Sequence, residues 1–539
     1  MRSQSSRPFE GLLHRWMVPV ILGSLVFAVA FGCRGVAWAA GGSSDDSAEL
    51  KQQVLELQQE IKELKGEIKV IKTEAEVKAP AAPAGGTATA AAPQTFGEHL
   101  GAVEKDVADL KKNLTDNLGV HIHGLVDTSY DYNINEPNTS LGSNGGPNPI
   151  APGGRVNQLR AFDTNANGFE LEQFNLHIDR TQDGGVGLVT DINFGQVANV
   201  MGASTRYSNT NTAANSTTNT TVDLTQAYMT YTAPVGSGIN LSLGRFVTLL
   251  GEEVIPVYNN QNFNESRGFL FTLGEPLTHT GLRANYAIND KMGVTLGVNN
   301  GWDDVSDNNM GQTIEGQFAM NSGDMLGSAQ SVAFTLSGIF GPEQVNHGNS
   351  KLWALDPIVT YKTPVKGLQL IAEYLYAQQT APVSASPAYS SQGNRFCYGP
   401  TATTPLCTPA PGFTSAPYGQ VNIPNQVSWT GAAGYIVYDL NDNVQLASRG
   451  EWFRDSDGSR SGLRQTLGEF TQTLTYKVPN VSGLIGRLEY RHDESGQKPF
   501  FSNELYPATA ANVAAGIAGL PAHTYAGQDT LMADAIYSF

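Results

Sequence analysis

A two-residue period begins after Gly119 and runs to the C-terminus. In "VHIHGLVDTSYDY" (120–132), Val120, Ile122, Gly124, Val126, Thr128, Tyr130 and Tyr132 fall on one side, and His121, His123, Asp127, Ser129 and Asp131 on the other. Successive side chains of an extended strand point to opposite faces, so this spacing reads as β-structure with one oily and one wettable face. It recurs in "INLSLG" (239–244), "LRANYAI" (282–288), "MGVTLGVN" (292–299), "SVAFTLSGIF" (331–340), "VQLASRGEW" (444–452) and "LIGRLEYR" (484–491). The last residues keep it too, with Leu531, Ala533, Ala535, Tyr537 and Phe539 on the oily side. Chain ends are normally polar and loose, so a terminus that alternates to an aromatic residue is expected to be an ordered closing strand paired near Val120.

A soluble sandwich would alternate as well, but it would need charge on its outer face. Only 15% of the 539 residues are charged, against about a quarter in soluble domains. With so little charge, the polar face is better placed around an enclosed interior. Lipid offers no partner for backbone N–H and C=O groups, so strands cross a membrane only as a closed barrel. The connections agree. Short links such as "QDGG" (182–185), "PVGSG" (234–238), "NDK" (289–291), "TPVKG" (363–367), "LNDN" (440–443) and "PNVSG" (479–483) alternate with long polar segments. The long segments lie near 136–167, 197–223, 251–278, 302–312, 341–350, 380–427, 455–464 and 494–525. Short turns on one rim and long loops on the other are the asymmetry of bacterial barrels. If "QTIEGQFAM" (312–320) is also a strand, the expected fold is all-β membrane: a closed antiparallel barrel of about 16 strands around an aqueous channel.

The chain before Gly119 has a different character. Residues 1–39 have a basic start at Arg2, Arg7 and Arg15, an apolar run too short to span a bilayer, and small residues at Ala37–Ala39, so they are expected to be a cleaved signal peptide. Four arginines and one glutamate leave with that leader, so the formal charge of −17 becomes −20, which argues against a nucleic-acid partner. Within 46–78, apolar residues at Leu50, Val54, Leu57, Ile61, Leu64, Ile68, Ile71 and Ala75 alternate steps of four and three, the seam of a coiled coil. An Ala/Pro-rich linker (79–96) and a short helix (97–118) complete the expected domain order ahead of a barrel over 119–539.

"HGLVDTSYDYNIN", "LRAFDTNANGFELEQFNLHIDR", "GRFVTLLGEEVIPVYNNQNFNESRGF", "EPLTHTGLRANYAIND", "GVNNGWDDVSDNN", "RGEWFRDSDG" and "LIGRLEYRHDES" resemble the OmpL-like outer-membrane β-barrel porin family, across about residues 120–539. The "GEEV...NESRGF...HTG" set is the most specific part. The resemblance implies a porin and carries no substrate and no residue-level site.

The expected function is passive diffusion of small hydrophilic solutes or ions through a water-filled barrel in the bacterial outer membrane, with the stalk in the periplasm. The alternative is a structural protein whose coiled coil spaces or tethers the membrane from the cell wall; thirty helical residues reach about 45 Å. Outer-membrane lipid and small solutes are the expected partners, with cell-wall contact through the stalk. A homo-oligomer is expected as well: Val and Ile at one seam position with Leu at the other favour two strands, whereas a porin body favours three, so a trimer is favoured with a dimer as the alternative. No catalytic grouping of nucleophile and base is identifiable, and no cofactor is called for. Charged residues at the narrowest point of a channel set ion preference. The candidate pore-lining or constriction residues are Glu252, Glu253, Glu265 and Arg267 in the 251–278 segment, expected to fold into the lumen, and Arg283, Arg449, Glu451, Arg487, Glu489 and Arg491, inward by parity. Cys397 and Cys407 are expected to form a loop disulfide in the oxidising envelope. His121 and His123 share a face near the periplasmic mouth, but two ligands do not make a metal site.

Overall fold

A computed structural model describes residues 119–137, 157–180, 185–204, 222–258, 261–309, 311–323, 330–344, 347–380, 426–461, 464–502, 509 and 524–539. The expected leader, coiled coil, linker, short helix and Cys397–Cys407 bridge lie outside the described residues.

The strands are β1 (Val120–Asn133), β2 (Gly168–Arg180), β3 (Val186–Phe194), β4 (Val222–Ala233), β5 (Ile239–Val247), β6 (Thr278–Asn289), β7 (Met292–Asn299), β8 (Thr313–Asn321), β9 (Ser331–Gln344), β10 (His347–Lys362), β11 (Leu368–Thr380), β12 (Gln426–Asn441), β13 (Val444–Asp455), β14 (Gln465–Lys477), β15 (Leu484–Ser495), β16 (Phe500–Phe501), β17 (Thr524–Tyr525) and β18 (Gly527–Ser538). β16 and β17 pair only with each other. The other 16 close into one antiparallel barrel, each paired with its neighbour along the chain and β18 paired with both β15 and β1. Closure leaves no sheet edge, so every ladder group finds a partner without water. The segment 312–320, on which an even strand number depends, forms β8.

Phe539 completes the seam. Its backbone N–H donates to Gly124 O and its carbonyl accepts from Gly124 N, both at 2.9 Å. Its ring lies over Gly124, where a Cβ would come within 2.6 Å of ring carbons, so a side chain there has to displace the ring. Leu531, Tyr537 and Phe539 face outward, while Met532, Asp534 and Ile536 between them are buried inward.

Two features depart from the alternation. The 341–350 segment, expected as a long loop, is strand on both sides of a tight hairpin: β9 and β10 stay in register from Lys351↔Pro342 onward. Glu343 there points inward and accepts from Thr313 Oγ1 and Trp302 N, both at 2.6 Å, which holds the rim extended. Second, the inner face from β9 to β13 carries a broad apolar patch between polar residues such as Asp356, Glu373 and Arg449. Ile339, Leu352, Ala354, Ile358, Ile371, Leu375, Val427, Trp429, Val437 and Phe453 form a buried cluster inside the barrel, while Leu336, Phe340, Leu355, Leu370 and Ile436 cover the outside. These strands are apolar on both faces because the lumen beside them is filled by protein.

A helix after β3, α1 (Gln196–Ser204), lies in the loop that precedes β4 and contributes Val197 and Met201 to a second core with Ala161, Phe162, Ile255, Phe271 and Leu277.

Candidate functional site: a loop docked inside the barrel

The segment between β5 and β6 turns inward at Gly251, whose φ of +91° suits glycine. Its N–H donates to Asp356 Oδ2 on β10 at 2.6 Å. The two limbs of the loop are clasped by Asn262, whose amide accepts from Val254 N and donates to Val254 O, each at 2.8 Å. Phe269, Leu270 and Leu273, the last two in a π-turn at Leu270–Gly274, pack into the apolar inner wall, and Trp429 Nε1 donates to Gly274 O at 3.0 Å.

The expected charged residues gather around this loop and grip its backbone. Arg449 ion-pairs with Glu253 and, through Nε, with Glu469 at 2.8 Å, while donating to Ser266 O at 2.7 Å. Glu253 also accepts from Gly268 N at 2.7 Å. Glu451 accepts from Phe269 N. Glu489 accepts from Glu265 N at 2.6 Å and Ser266 N at 3.0 Å, and its position is fixed by Thr473 Oγ1 at 2.6 Å. Arg487 pairs with Glu265 and with Asp534, the latter also through Nε at 2.7 Å, and donates to Asn262 O and Asn264 O at 3.2 and 3.3 Å. Arg491 donates to Arg267 O at 2.5 Å and lies 5.0 Å over the Phe269 ring. Parity placed these side chains inward; the loop's unpaired amides and carbonyls explain why the wall alternates Arg and Glu. Buried backbone groups without a partner are costly, and charge-assisted bonds satisfy them.

Glu252 and Arg283 behave differently. Glu252 is half-buried beside a cavity of ≈ 120 Å³ that Glu253, Gln261, Asn262, Phe263 and Tyr435 also line. Burial, with the charges of Glu253 and Asp356 nearby, pushes its carboxyl up to about 7. Glu275, at the far end of the loop, is raised well above the usual carboxylate range, by burial first and then by Asp356. Arg283 stands apart from the cluster: it pairs with Glu315 at 2.8 Å, donates to Val247 O at 3.1 Å and lies 3.9 Å over the Phe246 ring. Toward the short-turn rim the lumen opens into a vestibule of ≈ 820 Å³, lined by Tyr258, Gln445, Lys477, Arg487 and Ser538 among others.

Sequence reasoning missed Arg160. This residue of the first long loop is buried in the lumen, bound to Asp493 at 2.8 Å, Asp163 at 2.7 Å and Thr530 at 2.9 Å. Phe162 beside it meets Phe271 at 5.5 Å, so the two loops pack together. No periodicity marks residue 160 in its loop, whereas Glu469, Asp493 and Asp534 share the inward parity already used for Arg449 and Arg491 and were findable.

Solved structures similar to the chain include the outer membrane channel DcaP of Acinetobacter baumannii, with 10% identity, 78% of this chain and 97% of that chain covered and a TM-score of 0.41. OprB of Pseudomonas putida has 10% identity, coverage of 80% and 97%, and a TM-score of 0.43. An anion-selective porin from Comamonas acidovorans has 7% identity, coverage of 78% and 99%, and a TM-score of 0.41. No curated protein matches the chain. The model of the family described as "Putative beta-barrel porin-2, OmpL-like" matches residues 119–539, so the chain belongs to this family of β-barrel porins.

Proposed function

We propose that the protein is a passive outer-membrane channel for small hydrophilic solutes and ions, with the 251–278 loop as its constriction and Glu252 as the residue that sets ion preference. One observation carries this reading: a half-buried carboxyl beside a cavity within a docked loop, where the neighbouring Glu253 and Glu265 are instead paired with Arg449 and Arg487. Lumen side chains tune selectivity, and a carboxylate in a narrow, low-dielectric passage attracts cations. Glu253, Glu265, Arg267, Arg449, Glu451, Arg487, Glu489 and Arg491 line the passage and chiefly hold the loop that narrows it. The heptad seam of residues 50–78 supports a homo-oligomer; its Val, Ile and Leu pattern favours two strands and a porin body favours three, and a trimer is proposed before a dimer.

Planar-bilayer recording of the purified protein under a salt gradient tests the reading. Discrete conductance steps with a cation-selective reversal potential are expected. A silent, correctly folded barrel overturns it.

A further inference from the structure

From β1 to β9 the outer face of the barrel stays oily up to the long-loop rim. There Tyr132, Phe169, Leu224, Val298, Ile314 and Phe340 all point outward and are exposed. The sector from β11 to β14 breaks this band. One cross-strand row in it runs Tyr376, Thr430, Arg454, Thr466, each directly opposite the next. The row lies on the outside, because Leu375, Trp429, Phe453 and Leu467, one residue away on the same four strands, are buried within the barrel.

Arg454 is exposed in this row, one residue from the end of β13. Arg464 is exposed as well, two residues before Thr466, where the chain enters β14. Among the described residues neither arginine has an ion-pair partner. Diagonal neighbours on adjacent strands are about 7–8 Å apart, within reach of long side chains, so the two guanidinium groups can close on one anion. A cation on the lipid face is costly at mid-bilayer and nearly free at the interface, and this height is interfacial. Trp452 lies two residues deeper on β13, and Trp353 on β10 meets Tyr376 on β11 with ring centroids 5.2 Å apart, as in the aromatic belt of membrane proteins. Beyond β14 the exposed Glu494 of β15 bounds the patch with negative charge.

We propose that Arg454 and Arg464, with the Thr466 hydroxyl between them, form a binding site for the phosphate of an outer-leaflet glycolipid headgroup. Long loops are extracellular in bacterial barrels, so lipid at this rim belongs to the outer leaflet. Guanidinium groups hold phosphate through paired N–H donors, which fixes the headgroup in one orientation. The acyl chains then run down the oily wall below Trp452, where Leu446, Phe470, Leu474 and Leu488 alternate outward on β13, β14 and β15.

Native mass spectrometry of the purified full chain in detergent micelles tests the site, with diphosphoryl lipid A as the probe and its dephosphorylated form as the control lipid. One retained lipid A per chain is expected at concentrations where the dephosphorylated form is lost. Arg454→Gln combined with Arg464→Gln should weaken retention by about fivefold for each arginine removed, roughly 25-fold together. Lys366→Gln removes an exposed cation at the opposite, short-turn rim and should leave retention unchanged. Both arginines are exposed, so the double variant should still fold, which fast migration on unboiled electrophoresis checks. Equal retention of the two lipids would mean that acyl chains alone hold the adduct. Unchanged retention in the folded double variant, or an equal loss in Lys366→Gln, would place the phosphate elsewhere, and any of these three results overturns the site.

Discussion

Glu252 and Glu253 are adjacent in sequence and opposite in consequence. Glu253 is buried, paired with Arg449 and bonded to Gly268 N, so it latches one limb of the loop to the other and to β13. Glu252 faces the small cavity, and its carboxyl, raised by burial to about 7, is neutral below that pH and charged above it. The sign follows directly: negative charge appears beside this cavity as pH rises through 7, so under the proposed channel role cation preference should strengthen between about pH 6 and 8. Reversal potentials across a salt gradient should move in that direction for the native chain and stay flat for Glu252→Gln. A titration that survives this substitution would assign the charge elsewhere. Glu253→Gln should behave as a docking lesion, with unstable current levels and little of the pH dependence lost. Arg449→Met removes a buried cation shared by Glu253 and Glu469. Breaking such a pair strands its partners and should cost about 3–5 kcal/mol, measurable as a lowered urea midpoint in detergent micelles. From the sequence, the two glutamates looked equivalent; only the burial of one against Arg449 separates them.

At the scale of elements, strands were legible and docking was not. Strand existence follows from a period of two that the backbone imposes on every half-buried sheet, so β1, β5–β7, β9, β13, β15 and β18 could be read from side-chain alternation alone. The same rule failed where both faces are apolar, as in β10 and β12, because period carries no signal when inside and outside are equally oily. It also misread 341–350, where Glu343 and Ser350 are buried polar residues of paired strands and the polar sequence looks like loop. Arg160 had no periodic signal, since its role depends on a loop folding back across the barrel to Asp493. The closing element can be tested by itself. Gly124→Val should drive Cγ and Cβ atoms into the Phe539 ring and cost about 1–3 kcal/mol by overpacking. The expected readout is a larger unfolded fraction on unboiled electrophoresis, where a closed barrel migrates faster. Phe539→Gly in the same background should restore part of the loss, because the ring is what the valine meets. If the double variant is no better than Gly124→Val alone, the clash lies elsewhere on the seam.

For the whole molecule, the arrangement separates what closes the barrel from what narrows it. The 16 strands pair in an unbroken ring, which the docked loop joins only at its end, where Thr278 begins β6. The loop, in turn, is held by two independent grips: charge-assisted bonds from β13 and β15 to its backbone, and burial of Phe269, Leu270 and Leu273 against the apolar inner wall. Removing the apolar grip should therefore open the passage without opening the barrel. Truncating buried side chains of this size costs about 2–5 kcal/mol each, more than one or two backbone hydrogen bonds return, so Phe269→Ala with Leu273→Ala should release that limb of the loop while the strands stay paired. Fast electrophoretic migration and a β-rich circular dichroism spectrum should be retained. Single-channel conductance should rise several-fold, toward that of an unobstructed 16-stranded bore. Conductance equal to the native value in a folded variant would mean that the current never passes the docked loop, and the narrow point would then have to lie with Arg160 and Phe162 on the opposite side of it.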